Sequence, residues 1–503
     1  MITVCLNRAN FEYDIHSLVK AFFATEEVKV FADQDKISRI EQQSPPRFRL
    51  EICYRQGENG QKDCIEVVLQ EPEESAVYAI KLRDSIEADF SFRIETKNQL
   101  KRCLYQMLSK YTGQQLPWGA LTGIRPVKIA MAMLEEGKEE AAVRAHMASS
   151  YFASQQKIDL SIEIAKREKE LLGTVDYQDG YSLYIGIPFC PSICSYCSFS
   201  SSPIEKWKDK VQQYLDALEE ELRFTGKLCR RRKLNTIYIG GGTPTTLSPE
   251  QLKRLFAAIE KHFDCARLSE YTVEAGRPDS ITRDKLNVLK SHGISRISIN
   301  PQTMKQETLD IIGRRHTPAQ AEEAFFMARE LGFDNINMDF IVGLPKENID
   351  DVRATMEAAK KLSPDSLTVH SLAMKRAARF RMVPEDYEGM EMSNSWDIID
   401  LTARYARDMG LAPYYLYRQK NMAGNFENVG YAAPLKAGLY NILMMEEKQP
   451  ILALGAGSIS KQIYPDGHIE RCENVKDVAQ YIARIDEMIA RKKALFAQWR
   501  ETL

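Results

Sequence analysis

Three cysteines lie on one short stretch, Cys190, Cys194 and Cys197 in GIPFCPSICSYCSFS. Their CxxxCxxC spacing supplies three thiolates and no fourth. A structural zinc takes four protein ligands, usually from two separated CxxC pairs. A disulfide framework needs an even count and an oxidising compartment. Three thiolates on one loop instead suit a [4Fe–4S] cluster with one iron left open, and an open iron can bind a small molecule and pass it an electron. The other seven cysteines, Cys5, Cys53, Cys64, Cys103, Cys229, Cys265 and Cys472, are scattered, and most are expected to be reduced and buried.

Further residues able to do chemistry recur along the same half of the chain. Gly240-Gly241-Gly242-Thr243-Pro244-Thr245 is a glycine-dense turn where missing side chains let a ligand approach the backbone. It lacks the Gly-Lys-Ser/Thr of a P-loop and the spacing of a dinucleotide fingerprint. Glu274 and Asp339 could accept hydrogen bonds from ribose hydroxyls or an ammonium group. Arg314-Arg315-His316 could hold a carboxylate through a forked pair of guanidinium groups. The run from His370 to Arg381 places Lys375, Arg376, Arg379 and Arg381 within seven residues, a set suited to an acidic substrate. Tyr414, Tyr415, Tyr417 and Arg418 could flank a flat ring, although such aromatic runs are more often core.

These groups must be positioned by elements, and the chain changes rhythm to supply them. Its 503 residues are too many for one ordinary core, so two or three domains are expected. The first 175 residues read as α+β, with short strands at 1–6, 48–54 and 64–69 and a hairpin between the last two. The tract at 42–48 reads as a surface loop, and helical patterning begins at Lys97. From Tyr181 the pattern becomes strand, loop, helix, repeated. Strands are expected at 181–187, 236–239, 270–274, 296–299, 335–341 and 366–370. Ser248-Pro249-Glu250-Gln251 and Thr317-Pro318-Ala319-Gln320 open helices with a capping box and proline at the first position. Such alternation implies a parallel sheet. The cysteines, the glycine turn, Glu274, Gln302, Asp339 and His370 then all fall at its carboxyl edge, where parallel α/β folds build their sites.

The composition excludes several classes. Charged residues are 27% and hydrophobic residues 44%, a globular balance. A net charge of −2 makes no broad electrostatic case for nucleic acid. No apolar run is long enough to span a bilayer. The first residues lack a signal peptide's basic and apolar regions, so a cytoplasmic location is expected.

Together these motifs resemble the radical S-adenosylmethionine superfamily, and within it the oxygen-independent coproporphyrinogen III oxidases. The resemblance is dense over 181–370. It runs through Tyr184 to Cys197, Tyr238 to Thr245, Glu274, Ser295 to Gln302, Gly313-Arg314-Arg315-His316 and Asp339 to Pro345. LTGIRP at 121–126 and YRQKNMAGNFENVGY at 417–431 resemble a variant branch with a long N-terminal domain. The resemblance implies an α/β fold built on a partial (β/α)6 barrel. It implies an N-terminal α+β domain at 1–175, a core at 176–410 and a C-terminal α/β extension at 411–503 on the substrate side. It implies a [4Fe–4S] cluster on Cys190, Cys194 and Cys197. S-adenosylmethionine would be held by Tyr184, Tyr196, Gly241, Gly242, Thr243, Glu274, Gln302, Arg314, Asp339 and Ala373. Lys375, Arg376, Arg379 and Arg381 would meet the propionates of a tetrapyrrole, and an electron donor such as flavodoxin or ferredoxin would be needed. The implied reaction is the conversion of two propionates of coproporphyrinogen III to vinyl groups. Two positions depart from the well-studied oxidases: Phe199 stands where they carry cysteine and Gly186 where they carry histidine. A haem chaperone or a radical enzyme of another tetrapyrrole are the alternatives; the HNxxYW motif of the chaperones is absent from this sequence.

Overall fold

The computed structural model describes the chain except residues 58–61, 74–77, 124, 199–200, 374–377, 388, 393, 420–425 and 502–503. Two compact units are formed, one from 1–165 with 418–427 and one from 166–417 with 428–503.

In the first unit, strands β1 (Ile2–Leu6), β2 (Val28–Phe31), β3 (Arg49–Arg55), β4 (Asp63–Pro72) and β5 (Tyr78–Ala88) form one sheet in the order β2-β1-β3-β4-β5. β1 runs parallel to both neighbours, whereas β3, β4 and β5 are antiparallel. The expected pairing of the second and third strands is present, with Arg55 opposite Cys64. The expected helix from Lys97 is Arg93–Thr112, whose Leu100, Leu104 and Leu108 are fully buried in one core with Val4, Leu50 and Val67. The segment expected as a surface loop at 42–48 ends inside that core. Gln42, Gln43, Ser44, Pro45 and Arg47 are exposed as expected, while Pro46 is buried and Phe48 is fully buried against Phe23 and Tyr111. β5 escaped the sequence because most of its side chains are exposed or half-buried and its pattern is polar.

The second unit holds an eleven-stranded sheet. Its centre is six parallel strands in chain order: β6 (Gly180–Ile187), β9 (Lys233–Gly241), β10 (Glu270–Gly276), β11 (Arg296–Gln302), β12 (Ile336–Val342) and β13 (Ser366–Ser371). Two-residue strands β7 (Phe189–Cys190) and β8 (Ser202–Pro203) pair with each other inside the cysteine segment. Strands are Ile- and Val-rich and buried on both faces, as parallel sheets require. Both expected capping boxes are made, Ser248 with Gln251 and Thr317 with Gln320. The C-terminal residues do not stand apart. β14 (Ala412–Tyr417) and β15 (Asn428–Ala432) extend the sheet beyond β13 in antiparallel fashion. β16 (Ile451–Leu454) lies parallel to β6, followed by antiparallel β17 (Ile459–Ile463) and β18 (Ile469–Glu473). The three divisions expected at 1–175, 176–410 and 411–503 therefore meet two compact units, because strands of 411–503 share the central sheet. No described helix is long and apolar enough to cross a membrane.

Candidate active site at the carboxyl edge of the sheet

The cysteine loop follows β6 and is tied down on several sides. Ser192 accepts from the buried Arg277 guanidinium at 2.6 Å and donates to the Gly313 carbonyl at 2.9 Å. The Ser195 amide donates to the Ile312 carbonyl at 3.0 Å, and Tyr387 donates to the Ser195 hydroxyl at 2.8 Å. Arg277 is held flat by a two-point pair with Asp279 at 2.9 and 2.6 Å. Arg277, Ser192 and Tyr387 carry no motif, and sequence reading missed them. They hold the cysteine loop in one conformation.

The glycine turn packs directly on that loop. Gly241 has a left-handed φ of 107°, which disfavours any side chain. A Cβ on Gly242 would lie 2.5 Å from the Phe189 carbonyl and 2.9 Å from Cys190 Sγ. At Gly242 the protein's own cysteine strand fills the room that the sequence reserved for a ligand. The amides of Gly242 and Thr243 donate to the carbonyls of Ile187 and Phe189, both at 2.7 Å, and Thr243 Oγ1 lies 3.7 Å from Cys190 Sγ.

The three cysteines fit a cluster by their chemistry. Burial pushes the Cys190 thiol up to about 11, and the nearby Cys194 and Cys197 push the same way, against Thr243 and Arg277. Ionised neighbours thus raise the cost of ionising Cys190, a cost that cationic iron would remove. Among the described residues no three His, Cys, Asp or Glu groups converge on one single-ion position. None of the cysteines is in a disulfide. Of the scattered seven, Cys5, Cys103 and Cys229 are buried while Cys53, Cys64, Cys265 and Cys472 are only half-buried.

Bulges aim the next residues inward. The β10–β11 ladder shifts register between Val273 and Gly276, beside Glu274, and the β11–β12 ladder shifts between Ile299 and Gln302. Gln302 sits at a left-handed φ of 72°, strained for a residue with a side chain, and its buried Oε1 has no partner. The buried Arg314 donates to the Asn300 carbonyl and, at 2.9 Å, to the Tyr196 hydroxyl, leaving its Nε without a partner. Burial alone would weaken the Arg314 cation, but the Tyr196 phenol and Cys194 thiol beside it hold it firmly charged. Arg315 points outward and is exposed, so the expected arginine fork is split. Unpartnered buried polar atoms on Gln302 and Arg314 are the features a polar ligand would satisfy.

Glu274 and Asp339 behave oppositely. Burial pushes the Glu274 carboxyl up to about 7, aided by the Asp339 charge and opposed by hydrogen bonds from Tyr238 and the Gly241 amide. Burial also pushes Asp339 up, yet contacts with His370, Asn337 and Thr368 hold it below the usual carboxylate range. Tyr238 donates to Glu274 Oε1 at 2.5 Å and clusters with Tyr184 and Tyr440, the three near-parallel rings lying 6.1, 4.6 and 6.3 Å from one another by centroid. Tyr440 is positioned by buried Glu270, which accepts from the amides of Leu439 and Tyr440 at a helix start. Ala373 is buried just beyond β13.

The expected substrate cations are less defined. Lys375 and Arg376 lie outside the described residues, as do the Arg381 side chain and Phe199. Arg379 is exposed and paired with Asp386 at 2.9 Å. Tyr414 and Tyr415 are core residues rather than a wall for a ring.

Comparison with known proteins agrees with this geometry. Residues 184–359 match the radical SAM superfamily profile. The chain is 39% identical over 397 residues to the oxygen-independent coproporphyrinogen-III oxidase-like protein HemZ of Bacillus subtilis (strain 168), covering 78% of this chain and 79% of that one. It is 40% identical over 195 residues to the heme chaperone HemW of the same organism, covering 39% and 51% of the two chains. The solved coproporphyrinogen III oxidase HemN of Escherichia coli shares the fold, with a TM-score of 0.50 at 24% identity over 64% of this chain and 72% of that one. Together they identify a partial α/β barrel whose superfamily cofactors are a [4Fe–4S] cluster and S-adenosylmethionine. The chain belongs to the oxygen-independent coproporphyrinogen III oxidase-like family of radical SAM proteins.

Proposed function

We propose that the chain oxidatively decarboxylates propionate side chains of a porphyrinogen, with coproporphyrinogen III as substrate and protoporphyrinogen IX as product. The observation that carries this reading is the convergence at one sheet edge of three thiols, a glycine turn and the unpartnered polar atoms of Gln302 and Arg314. When bound, the cluster and S-adenosylmethionine supply one-electron chemistry and hydrogen-atom abstraction.

The chain's own residues do the rest. Cys190, Cys194 and Cys197 hold the cluster. The turn at Gly241, Gly242 and Thr243, its Gly242 and Thr243 amides bonded to the cysteine strand, borders the amino-acid end of S-adenosylmethionine, which Gln302 and Arg314 hold. Glu274 and Asp339 accept from its hydroxyl and ammonium groups, Tyr184 and Tyr196 flank it, and Ala373 borders the adenine. Lys375, Arg376, Arg379 and Arg381 hold propionates by charge-assisted hydrogen bonds, and at Arg379 a carboxylate of the substrate replaces Asp386. Each propionate loses one hydrogen atom, carbon dioxide and one electron to become a vinyl group, the hydrogen atom ending on 5′-deoxyadenosine and the electron matching in number the one that cleavage of S-adenosylmethionine consumes. The reading assigns the chain to the cytoplasm, with a flavodoxin or ferredoxin as electron donor.

A second reading, haem delivery, is supported by the 40% identity to the chaperone HemW over 195 residues. Extended similarity to HemZ across 79% of its length favours the oxidase-like branch over it. The test is anaerobic reconstitution followed by chromatography with coproporphyrinogen III. The monovinyl intermediate and then protoporphyrinogen are expected, with 5′-deoxyadenosine formed in step. Cleavage of S-adenosylmethionine with tight haem binding and no vinyl product would overturn the oxidase in favour of the chaperone.

A further inference from the structure

The scheme above leaves one group at the sheet edge unused. His370, at the end of β13, is half-buried with its ring between two partners. Its Nε2 lies 3.8 Å from Asp339 Oδ2 on β12. Its Nδ1 lies 3.2 Å from the hydroxyl of Tyr417, the last residue of β14. The Tyr417 ring is itself stacked on buried Tyr415, 6.2 Å between centroids and 9° from parallel. On the far side, Asp339 Oδ1 accepts from Asn337 Nδ2 at 2.7 Å. Asn337 in turn accepts from Ser366 and Thr368 at 3.1 and 3.2 Å. One oxygen of Asp339 is thus anchored within the sheet by Asn337, with Thr368 also in contact with the carboxylate, while the other faces the imidazole.

We propose that His370 and Tyr417 are positioning residues that aim the free edge of the Asp339 carboxylate at the hydroxyl groups of a bound nucleoside. The proposal rests on the S-adenosylmethionine reading of the site. Its logic is that of a base oriented by a third group. A phenol donating to Nδ1 leaves the ring proton on Nε2, facing the carboxylate. The 3.8 Å separation exceeds a hydrogen bond and closes with a shift under 1 Å, as contacts in ligand-free sites commonly do. Asp339 is held in its charged form despite its surroundings, with the neighbouring Glu274 carboxyl pushed the other way. A charged carboxylate is the stronger acceptor for a ribose hydroxyl. Removing the phenol frees Nδ1 to take the proton, and Nε2 then turns a lone pair toward Asp339.

The test uses the cluster-loaded chain under anaerobic conditions, titrated calorimetrically with S-adenosylhomocysteine. His370→Gln keeps an N–H donor near Nε2, whereas His370→Leu keeps the volume and loses the donor. We expect His370→Leu to weaken binding about ten-fold, His370→Gln to stay within about three-fold, and Tyr417→Phe to weaken it about three- to five-fold. Cluster absorbance should be unchanged in all three. In an Asp339→Asn background, His370→Leu should cost nothing further, since coupled residues are not additive. Wild-type affinity in His370→Leu overturns the proposal, and so does equal loss in the Gln and Leu variants, which would assign His370 to packing. A wild-type chain with an intact cluster that binds no S-adenosylhomocysteine overturns the underlying reading, and the positioning role falls with it.

Discussion

At the scale of single residues, the site is organised by what is denied a partner or a side chain. Gly242 is the sharpest case, because an added methyl would meet a backbone carbonyl that has nowhere to go. Gly242→Ala is expected to displace the Cys190 strand and cut reconstituted iron well below about four per chain, as counted by iron and sulfide assay. Full loading in that variant would show that the turn can yield. Glu347 offers a pH test. It is buried, accepts from Thr303 at 2.5 Å, and burial pushes its carboxyl from 4.5 up to about 7. Between those values the folded chain holds a proton that the unfolded chain has released. Stability is therefore full below pH 4.5 and declines as pH rises through 7. Glu274 contributes with the same sign. Glu347→Gln mimics the protonated form and should flatten the decline, by on the order of 3 kcal/mol at most, in urea titrations of the ligand-free chain at pH 5.5 and 8.

At the scale of elements, strand ends and helix starts do the positioning. The two register shifts bracket Glu274 and Gln302, so the ladder breaks where side chains must turn toward a ligand. Two of the helix starts, at Ser248 and Thr317, are capped in a way that was legible without coordinates. Thr317 accepts from the Gln320 amide at 3.2 Å, and Gln320 returns the bond to the Thr317 amide at 2.9 Å. Thr317→Ala should destabilise the chain by about 1 kcal/mol, while Thr317→Ser should restore most of it, read from urea midpoints. An unchanged midpoint in the alanine variant would mean that the helix start is held by packing alone.

At the scale of the molecule, the chain leaves one unit and returns to it. Residues 418–427, between β14 and β15, belong with 1–165. There Glu427 is fully buried, accepting from Trp118 Nε1 at 2.8 Å and paired with buried Lys157. Replacing one member of such a pair strands a charge. Glu427→Leu should cost about 3–5 kcal/mol, and the double change Glu427→Leu with Lys157→Met should recover part of that, because the buried Arg418 guanidinium beside Glu427 also loses that carboxylate. Unfolding curves of the full chain measure both. A double variant no better than the single would assign the loss to shape or to Arg418 rather than to the Lys157 charge.

Much of the functional half was legible in the sequence, because its signals are local. A strand's run of β-branched residues, a capping box, a glycine turn and CxxxCxxC are each set by neighbours within a few positions. All six parallel strands and the carboxyl-edge placement of Cys190, Gly241, Glu274, Gln302 and Asp339 follow from such signals. What tertiary structure alone decided is whatever depends on distant residues meeting. It buried Phe48 in a tract that reads as loop, and it drew β14 to β18 into the central sheet. It split Arg314 from Arg315, and it brought Arg277 and Tyr387 to the cysteine loop. Residue types carry no record of these meetings. Burial and hydrogen-bond satisfaction are properties of the packed whole, and a one-residue turn of the chain decides which neighbour faces the site and which faces water.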